Sequence, residues 1–124
     1  MRIYQNKPFQ RFARKENIRD SELCDAVERA DRGLVDADLG GGVIKQRIAR
    51  QSQGRSGGFR SIILYRSQER AFFVYGFSKS SRANITAAEL ADLKDLAEMV
   101  LNYDAKVLQA AIAADAWKEV DCHK

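Results

Sequence analysis

The sequence predicts an α+β fold, in which a small antiparallel sheet of about four strands packs against N-terminal helices and a C-terminal helix. Two amphipathic segments precede residue 35, three strand-like segments lie between residues 43 and 78, and helical periodicity returns after Thr86. With 124 residues and 45% hydrophobic content, the chain is long enough to bury one compact core. We therefore expect a single domain over residues 1–124, with a helical extension from about residue 103.

Two helices are predicted before the first long strand, and residues 3–4 are typical of a short strand ahead of them. Pro8 suits the first turn of the first helix. The second helix is expected to be capped by Asp20 or Ser21 and to end at Gly33. Its apolar positions follow helical spacing, and they are Leu23, Ala26, Val27, Ala30 and Leu34.

The stretch "VIKQRIA" predicts a strand with one chemically distinctive face. It follows the glycine run 40–42, which breaks the chain, and it has an alternating pattern. Side chains two residues apart share a face of a strand, so Ile44 and Ile48 point one way. Lys45 and Arg47, together with Val43, then point the other way.

Two further strands and the C-terminal elements complete the expected fold. The runs "FRSIILYR" and "AFFVYGFS" are rich in β-branched and aromatic residues and are joined by a short polar turn at 67–70, which predicts an antiparallel meander. Residues 86–89 read Thr-Ala-Ala-Glu, a capping box that opens a helix. The tail from residue 103 permits one more helix, and "AWKEV" suits a short strand.

Positive charge is concentrated in the middle of the chain. Residues 40–85 hold nine basic residues and one acidic residue, Glu69, which leaves 12 basic and 16 acidic residues elsewhere. Such a distribution is typical of a surface that binds a polyanion, most commonly nucleic acid, although a plain solvated surface fits the charge equally well. The nine are Lys45, Arg47, Arg50, Arg55, Arg60, Arg66, Arg70, Lys79 and Arg82.

Several classes of site are excluded by residue type and spacing. Neither glycine run matches a phosphate-binding loop, and the single histidine, His123, lies next to the C-terminus. The sheet region offers only Glu69 as a carboxylate, so no metal or other cofactor is expected. Cys24 and Cys122 have no ligand-type spacing and are expected to be two free thiols. Without a long apolar run or signal peptide, the chain is expected to be cytoplasmic, with no membrane partner.

The basic strand suits chemistry on RNA. Lysine and arginine side chains can hold a phosphate backbone and stabilise the charge of a phosphorane transition state. RNA carries its own nucleophile, the 2′-hydroxyl beside the scissile phosphate. The protein then needs only to position the strand, move protons and neutralise charge.

The stretches "LGGGVIKQRIARQSQGRSGGFRSIILYR" and "FVYGFSKSSRANIT" closely resemble the RelE/HigB toxins of bacterial type II toxin–antitoxin modules, within the RelE/ParE superfamily. The resemblance extends from about Arg11 to Val100. It implies a small sheet packed on helices and a cognate antitoxin protein that blocks the toxin. It also implies, as further partners, the ribosome and mRNA, because active members cut mRNA in the ribosomal A site by 2′-hydroxyl attack without a metal.

The resemblance assigns roles to particular residues. Lys45 is expected to be the general base, Arg47 to bind phosphate and Arg60 to stabilise the transition state. Lys79 and Arg82 match basic positions after the last long strand and complete the catalytic set. The RNA-binding positions are expected to be Arg50, Arg55 and Arg66.

Two positions depart from the family pattern. Ser80 stands where an arginine or asparagine is frequent, and Thr86 stands where some members carry a catalytic tyrosine. The acid that protonates the leaving group is therefore not assigned. The aromatic residues of the sheet are expected to be core more than base-stacking platforms, and they are Tyr65, Phe73, Tyr75 and Phe77.

Two alternative functions stay open from the sequence. One is a toxin similar to the ParE branch of the same fold, which inhibits DNA gyrase without cutting RNA. The other is an RNA-binding module with no catalytic activity. The antitoxin surface has no marker, and either an apolar groove between helices or the tail from Tyr103 is expected to form it.

Overall fold

A computed structural model describes residues 1–48, 58–78 and 85–122 of the chain. Within these ranges the chain forms four helices and six strands. In chain order the elements are β1 (Arg2–Gln5), α1 (Lys7–Lys15), α2 (Asp20–Asp31), β2 (Ala37–Gly40), β3 (Val43–Ile48), β4 (Phe59–Arg66), β5 (Arg70–Ser78), α3 (Ala87–Val100), α4 (Ala105–Ala113) and β6 (Lys118–Glu119). None of the helices in the described ranges is long and apolar enough to cross a membrane.

The strands form one mixed sheet in the order β2-β3-β4-β5-β1-β6. The expected meander β3-β4-β5 is confirmed as antiparallel. The expected number of about four strands was too low, and the sheet is not purely antiparallel, because β1 pairs with β5 in parallel. The short strand at the N-terminus and the one in "AWKEV" are confirmed, whereas β2 was not expected from its sequence, Ala-Asp-Leu-Gly.

Helices cover both faces of the sheet, and each face has its own core. The first core joins α1 and α2 to the sheet; its largest fully buried members are Phe9, Leu23, Ile48, Ile63 and Phe73. The second core includes residues of α3 and α4; its members include Tyr4, Ile62, Leu64, Phe72 and Trp117. The α+β fold class with N-terminal helices and a C-terminal helix is thereby confirmed.

The helix starts follow local side-chain chemistry. Thr86 caps α3 as expected: its Oγ1 accepts from the Glu89 N–H at 3.1 Å, and Glu89 Oε1 accepts from the Thr86 N–H at 2.7 Å. The expected cap of α2 was wrong, because Arg19 is the N-cap and Asp20 is the first helical residue. The carboxylate of Asp20 instead accepts a hydrogen bond from the backbone N–H of Asp121, at 3.0 Å, and thus holds the C-terminal segment.

The glycine run between β2 and β3 is required by backbone geometry. Gly40, Gly41 and Gly42 all have positive φ, which L side chains rarely adopt. A Cβ on Gly42 would lie 2.8 Å from Leu101 Cδ1, so α3 packs directly on this turn. The glycines therefore allow a tight turn beneath a helix.

The expectation of two free thiols is wrong, because Cys24 and Cys122 form a disulfide. The pairing of β6 with β1 and a hydrogen bond from the Val120 N–H to the Ile3 carbonyl, at 2.8 Å, bring the C-terminal segment beside α2. The 98-residue separation of the cysteines hid this contact from sequence reasoning. The C-terminal segment is thus tied to α2 by a covalent bond and by Asp20.

Candidate nucleic-acid interface

Strand β3 divides its side chains between the two faces of the sheet as the sequence predicted. Ile44 and Ile48 lie in the core with α1 and α2, and Val43 lies in the opposite core. Lys45 and Arg47 share the face of Val43, and both are half-buried. The basic face of the strand therefore lies on the α3 side of the sheet.

Strand β4 adds Arg60 to the same face. Arg60 lies directly opposite Arg47 in the antiparallel register, and Lys45 lies opposite Ile62, a member of the core on that face. Facing residues in such a pair have Cβ atoms about 5 Å apart, and like charges at that distance repel. A bound anion would relieve this repulsion. We call Lys45, Arg47 and Arg60 the basic face.

Two members of the basic face have no compensating partner among the described residues. Within the described residues, neither the ammonium of Lys45 nor the guanidinium of Arg60 makes a hydrogen bond or an ion pair. Both side chains are only half exposed, so water solvates them less fully than it would on an open surface. This arrangement favours an anionic ligand.

The backbone at Arg47 is held by side chains where no outer strand continues. Strand β2 pairs with β3 only up to Lys45, so the outer edge at Arg47 needs other partners. The Asp36 carboxylate accepts from the Arg47 N–H, and the Arg29 guanidinium donates to the Arg47 carbonyl at 2.7 Å. Arg29 is itself bonded to Asp25 at 3.2 Å. These side chains fix where the Arg47 backbone lies.

A buried glutamine anchors the centre of the basic strand. Gln46 is fully buried, and its Nε2 donates to the carbonyls of Ala26 and Leu34 at 2.9 and 3.0 Å. Its Oε1 accepts from the Asp36 N–H at 3.0 Å, and its backbone carbonyl accepts from Ser61 Oγ at 2.8 Å. Sequence reasoning missed this role. The available signal was an amide between two core isoleucines, at a position whose side chain had to point inward.

Two aromatic residues of β5 lie beside the basic face, each paired with a residue of β4. Phe77 lies opposite Arg60, and Tyr75 lies opposite Ile62, with the two ring centroids 5.8 Å apart. Phe77 is buried and Tyr75 is half-buried. Phe73 belongs wholly to the opposite core.

Arg66 lies at the far end of β4 from Arg60. The two are six positions apart, which is about 20 Å along an extended strand. The Arg66 guanidinium donates to the Leu101 carbonyl at 2.6 Å and to Asn102 Oδ1 at 3.0 Å, and Arg70 donates to the Val100 carbonyl at 3.1 Å. Both arginines thus satisfy carbonyls at the C-terminal end of α3, and the structure does not bring Arg66 to the basic face.

The remaining expected site residues lie outside the described residues. They are Arg50, Arg55, Lys79 and Arg82. Strand β3 ends at Ile48, β4 begins at Phe59 and β5 ends at Ser78, so the undescribed segments adjoin the strand ends that carry Arg47 and Arg60. Over the described ranges, no group of three or more metal-ligating side chains could hold a metal ion.

Comparison with known proteins identifies the family. A search of curated proteins finds no match. The family model described as the RelE toxin of the RelE/RelB toxin–antitoxin system matches residues 1–120, which is nearly the whole chain. Membership in this family implies an antitoxin as partner. The chain therefore belongs to the RelE family of toxins from toxin–antitoxin systems.

Proposed function

We propose that this toxin inhibits translation by cutting mRNA on the ribosome, and that the basic face carries the reaction. One observation supports the proposal above all. Two half-buried basic side chains, Lys45 and Arg60, flank Arg47 on one face of the sheet, without ion pairs to described residues. Basic side chains in such an arrangement favour binding of a phosphate, and membership in the RelE family makes RNA the expected source of that phosphate.

In the proposed reaction the neutral amine form of Lys45 accepts the proton of the 2′-hydroxyl next to the scissile phosphate and becomes the ammonium. The 2′-oxygen then forms a bond to phosphorus, and the bond from phosphorus to the 5′-oxygen breaks. The 5′-oxygen takes a proton from water, and the ammonium of Lys45 returns its proton to the hydroxide that is left. Arg47 and Arg60 hold the non-bridging oxygens and neutralise the charge that grows on them. The products are a 2′,3′-cyclic phosphate and a 5′-hydroxyl end.

The hydrogen bonds behind β3 support this mechanism through preorganisation. Electrostatic stabilisation is strong only when the charged groups are already in place before the reaction. Gln46, Asp36 and Arg29 hold the backbone on both sides of Arg47. The side chains of Lys45 and Arg47 therefore project from a fixed base.

The test is the identity of the RNA ends. Translating ribosomes are incubated with the toxin, and mRNA ends are mapped by primer extension and tested for 2′,3′-cyclic phosphate. We expect cuts in phase with codons that carry this end group, and none with Lys45→Ala. Lys106→Ala, at an exposed position of α4, is the control and should cut like the wild type. RNA binding without cuts would favour a non-catalytic RNA-binding module, and loss of DNA supercoiling without cuts would favour gyrase inhibition; either result overturns the proposal.

A further inference from the structure

The disulfide between Cys24 and Cys122 lies at the surface of the folded protein. Cys122 is exposed, whereas Cys24, within α2, is half-buried. A groove of about 500 Å³ lies beside Cys122, and its walls include Arg2, Ile3 and Glu119. Grooves of this size admit small ligands. A small thiol can therefore approach the sulfur of Cys122 without unfolding the protein.

The two cores of the fold form without this bond. Small disulfide-rich domains use such bonds because they bury too little apolar surface. Here each face of the sheet has its own core with fully buried aromatic side chains, such as Phe9 on one face and Phe72 on the other. The disulfide thus adds one cross-link to a fold that already has two cores.

The residues that the bond ties to α2 form a short and mostly exposed segment. This C-terminal segment comprises residues 118–122, and Val120 is its one buried residue. Its strand, β6, is two residues long. The ion pair between Arg2 and Glu119 is exposed at 2.9 Å and adds little, because water screens it. Residues near a chain terminus are poorly ordered unless they are tied down, so the disulfide is a principal restraint on this segment.

Two backbone amides report whether the C-terminal segment is in place. The Val120 N–H donates to the Ile3 carbonyl at 2.8 Å, which joins the segment to β1. The Asp121 N–H donates to the Asp20 carboxylate at 3.0 Å, which joins it to α2. Both hydrogen bonds break if the segment leaves the sheet and α2.

The setting of a ribosome-directed toxin favours a bond that opens. Resting on the proposed function, the toxin acts in the cytoplasm, where small thiols and dithiol proteins keep cysteines reduced. Disulfides in that compartment are usually transient, and exposed disulfides are the more easily reduced ones. We propose that Cys122 is a site of thiol–disulfide exchange, at which a small cytoplasmic thiol opens the bond and frees the C-terminal segment.

The proposed exchange consumes two molecules of a small thiol such as glutathione. The thiolate of the first attacks Sγ of Cys122; a new sulfur–sulfur bond forms, and the bond to Cys24 breaks. Cys24 leaves as a thiolate. The thiolate of the second molecule attacks the sulfur of the first, and Cys122 leaves as a thiolate in turn. Both cysteines take up, through water, the protons that the two small thiols released. The protein disulfide is reduced to two thiols, and the small thiol is oxidised to its own disulfide.

Opening the bond acts on the lifetime of the folded toxin rather than on its basic face. Strand β6 forms one edge of the sheet, whereas β3 and β4 lie toward the other edge. The cross-link joins residues 98 positions apart and restricts the unfolded chain, so its loss favours unfolding. The redox state of the bond then sets how well the toxin resists proteolysis.

The experiment follows the folded, oxidised toxin in millimolar reduced glutathione. Mass spectrometry of acid-quenched samples locates glutathione on Cys24 or Cys122. NMR measures hydrogen exchange at the Val120 and Asp121 amides, with the amides within α3 as reference. Trypsin measures resistance to proteolysis. The control is the double variant Cys24→Ser and Cys122→Ser, which cannot form the bond.

We expect glutathione on Cys122 first, and then two free thiols. Reduction should bring exchange at Val120 and Asp121 to within about 10-fold of the rate of an unstructured peptide, while the amides within α3 stay protected. The half-life in trypsin should fall by at least about 10-fold. The double variant should match the reduced wild type, with or without glutathione.

A bond that glutathione opens only after the protein unfolds would overturn the proposal, because the disulfide would then be a permanent cross-link. Glutathione on Cys24 would also overturn it, as would reduction that leaves Val120, Asp121 and trypsin resistance unchanged. Loss of protection throughout α3 would overturn local release, because the bond would then hold the whole fold. No RNA enters these measurements, so a toxin that opens as expected but cuts no mRNA would contradict the proposed catalytic function and leave the exchange site intact.

Discussion

Replacing Gln46 with leucine tests whether the basic strand is held from behind. Leucine has a similar volume, so the change leaves little cavity and removes mainly polar interactions. The amide of Gln46, fully buried, makes three hydrogen bonds of 2.9, 3.0 and 3.0 Å to Ala26, Leu34 and Asp36. At about 1 kcal/mol for each, we expect the free energy of unfolding to fall by about 2–3 kcal/mol.

Urea unfolding followed by circular dichroism measures this change. With an m-value of about 2 kcal/mol/M, the midpoint should fall by about 1–1.5 M. Gln109→Leu, at an exposed position of α4, is the matched control and should change stability by less than about 0.5 kcal/mol. If Gln46→Leu and Gln109→Leu have the same small effect, the amide does not anchor the strand and the reasoning is refuted. Since Gln46 is a positioning residue, cleavage should also slow at a temperature where the variant is fully folded.

Three further predictions concern the rest of the molecule. Gly76→Ala should destabilise the fold by about 1–3 kcal/mol, because its Cβ would overlap the Phe12 ring. When Phe12 is already replaced by alanine, Gly76→Ala should cause no such loss of stability. The same loss in the Phe12→Ala background would contradict the close packing. The disulfide should protect both cysteines from maleimide labelling until it is reduced, and labelling of the unreduced, folded protein would show that the bond is absent. Cys122→Ser should lower the free energy of unfolding by about 2–4 kcal/mol. Burial and the hydrogen bond to Asp31 raise the pKa of Tyr65 above 10.0, so the folded state binds the phenol proton more tightly than the unfolded chain does. The stability from this proton is therefore present below about pH 10 and disappears above it. In urea titrations, the difference in unfolding free energy between the wild type and Tyr65→Phe should decrease at alkaline pH, and a pH-independent difference would refute this.

The fold followed from sequence wherever a periodic pattern extended over several residues. Strand β3 alternates so regularly that its two faces could be assigned, and Thr86 with Glu89 marked the start of α3. Strand β2 has no such pattern: Ala-Asp-Leu-Gly becomes a strand because the glycine turn returns the chain alongside β3. The disulfide depends on the pairing of the two ends of the chain, which no local pattern contains.

Of the candidate site, only the basic residues were predicted from the sequence; the side chains that support them were not. The positions of Lys45, Arg47 and Arg60 follow from strand alternation, which is local. The side chains that support them come from α2 and the segment after it, and only the folded chain brings these to β3. For Arg66, charge alone was misleading. Arg66 has the same charge as Arg60 but lies at the other end of β4, where it contacts the C-terminal end of α3.

The role of the basic face in cleavage is tested by the rate of single-turnover mRNA cleavage on programmed ribosomes at saturating toxin. We expect Arg60→Ala to lower this rate by at least about 100-fold, the reduction typical of removing one transition-state donor. Arg32→Ala, an exposed arginine after α2, should stay within about twofold of the wild type. If folded Arg60→Ala cleaves at the rate of Arg32→Ala, the basic face does not carry the reaction.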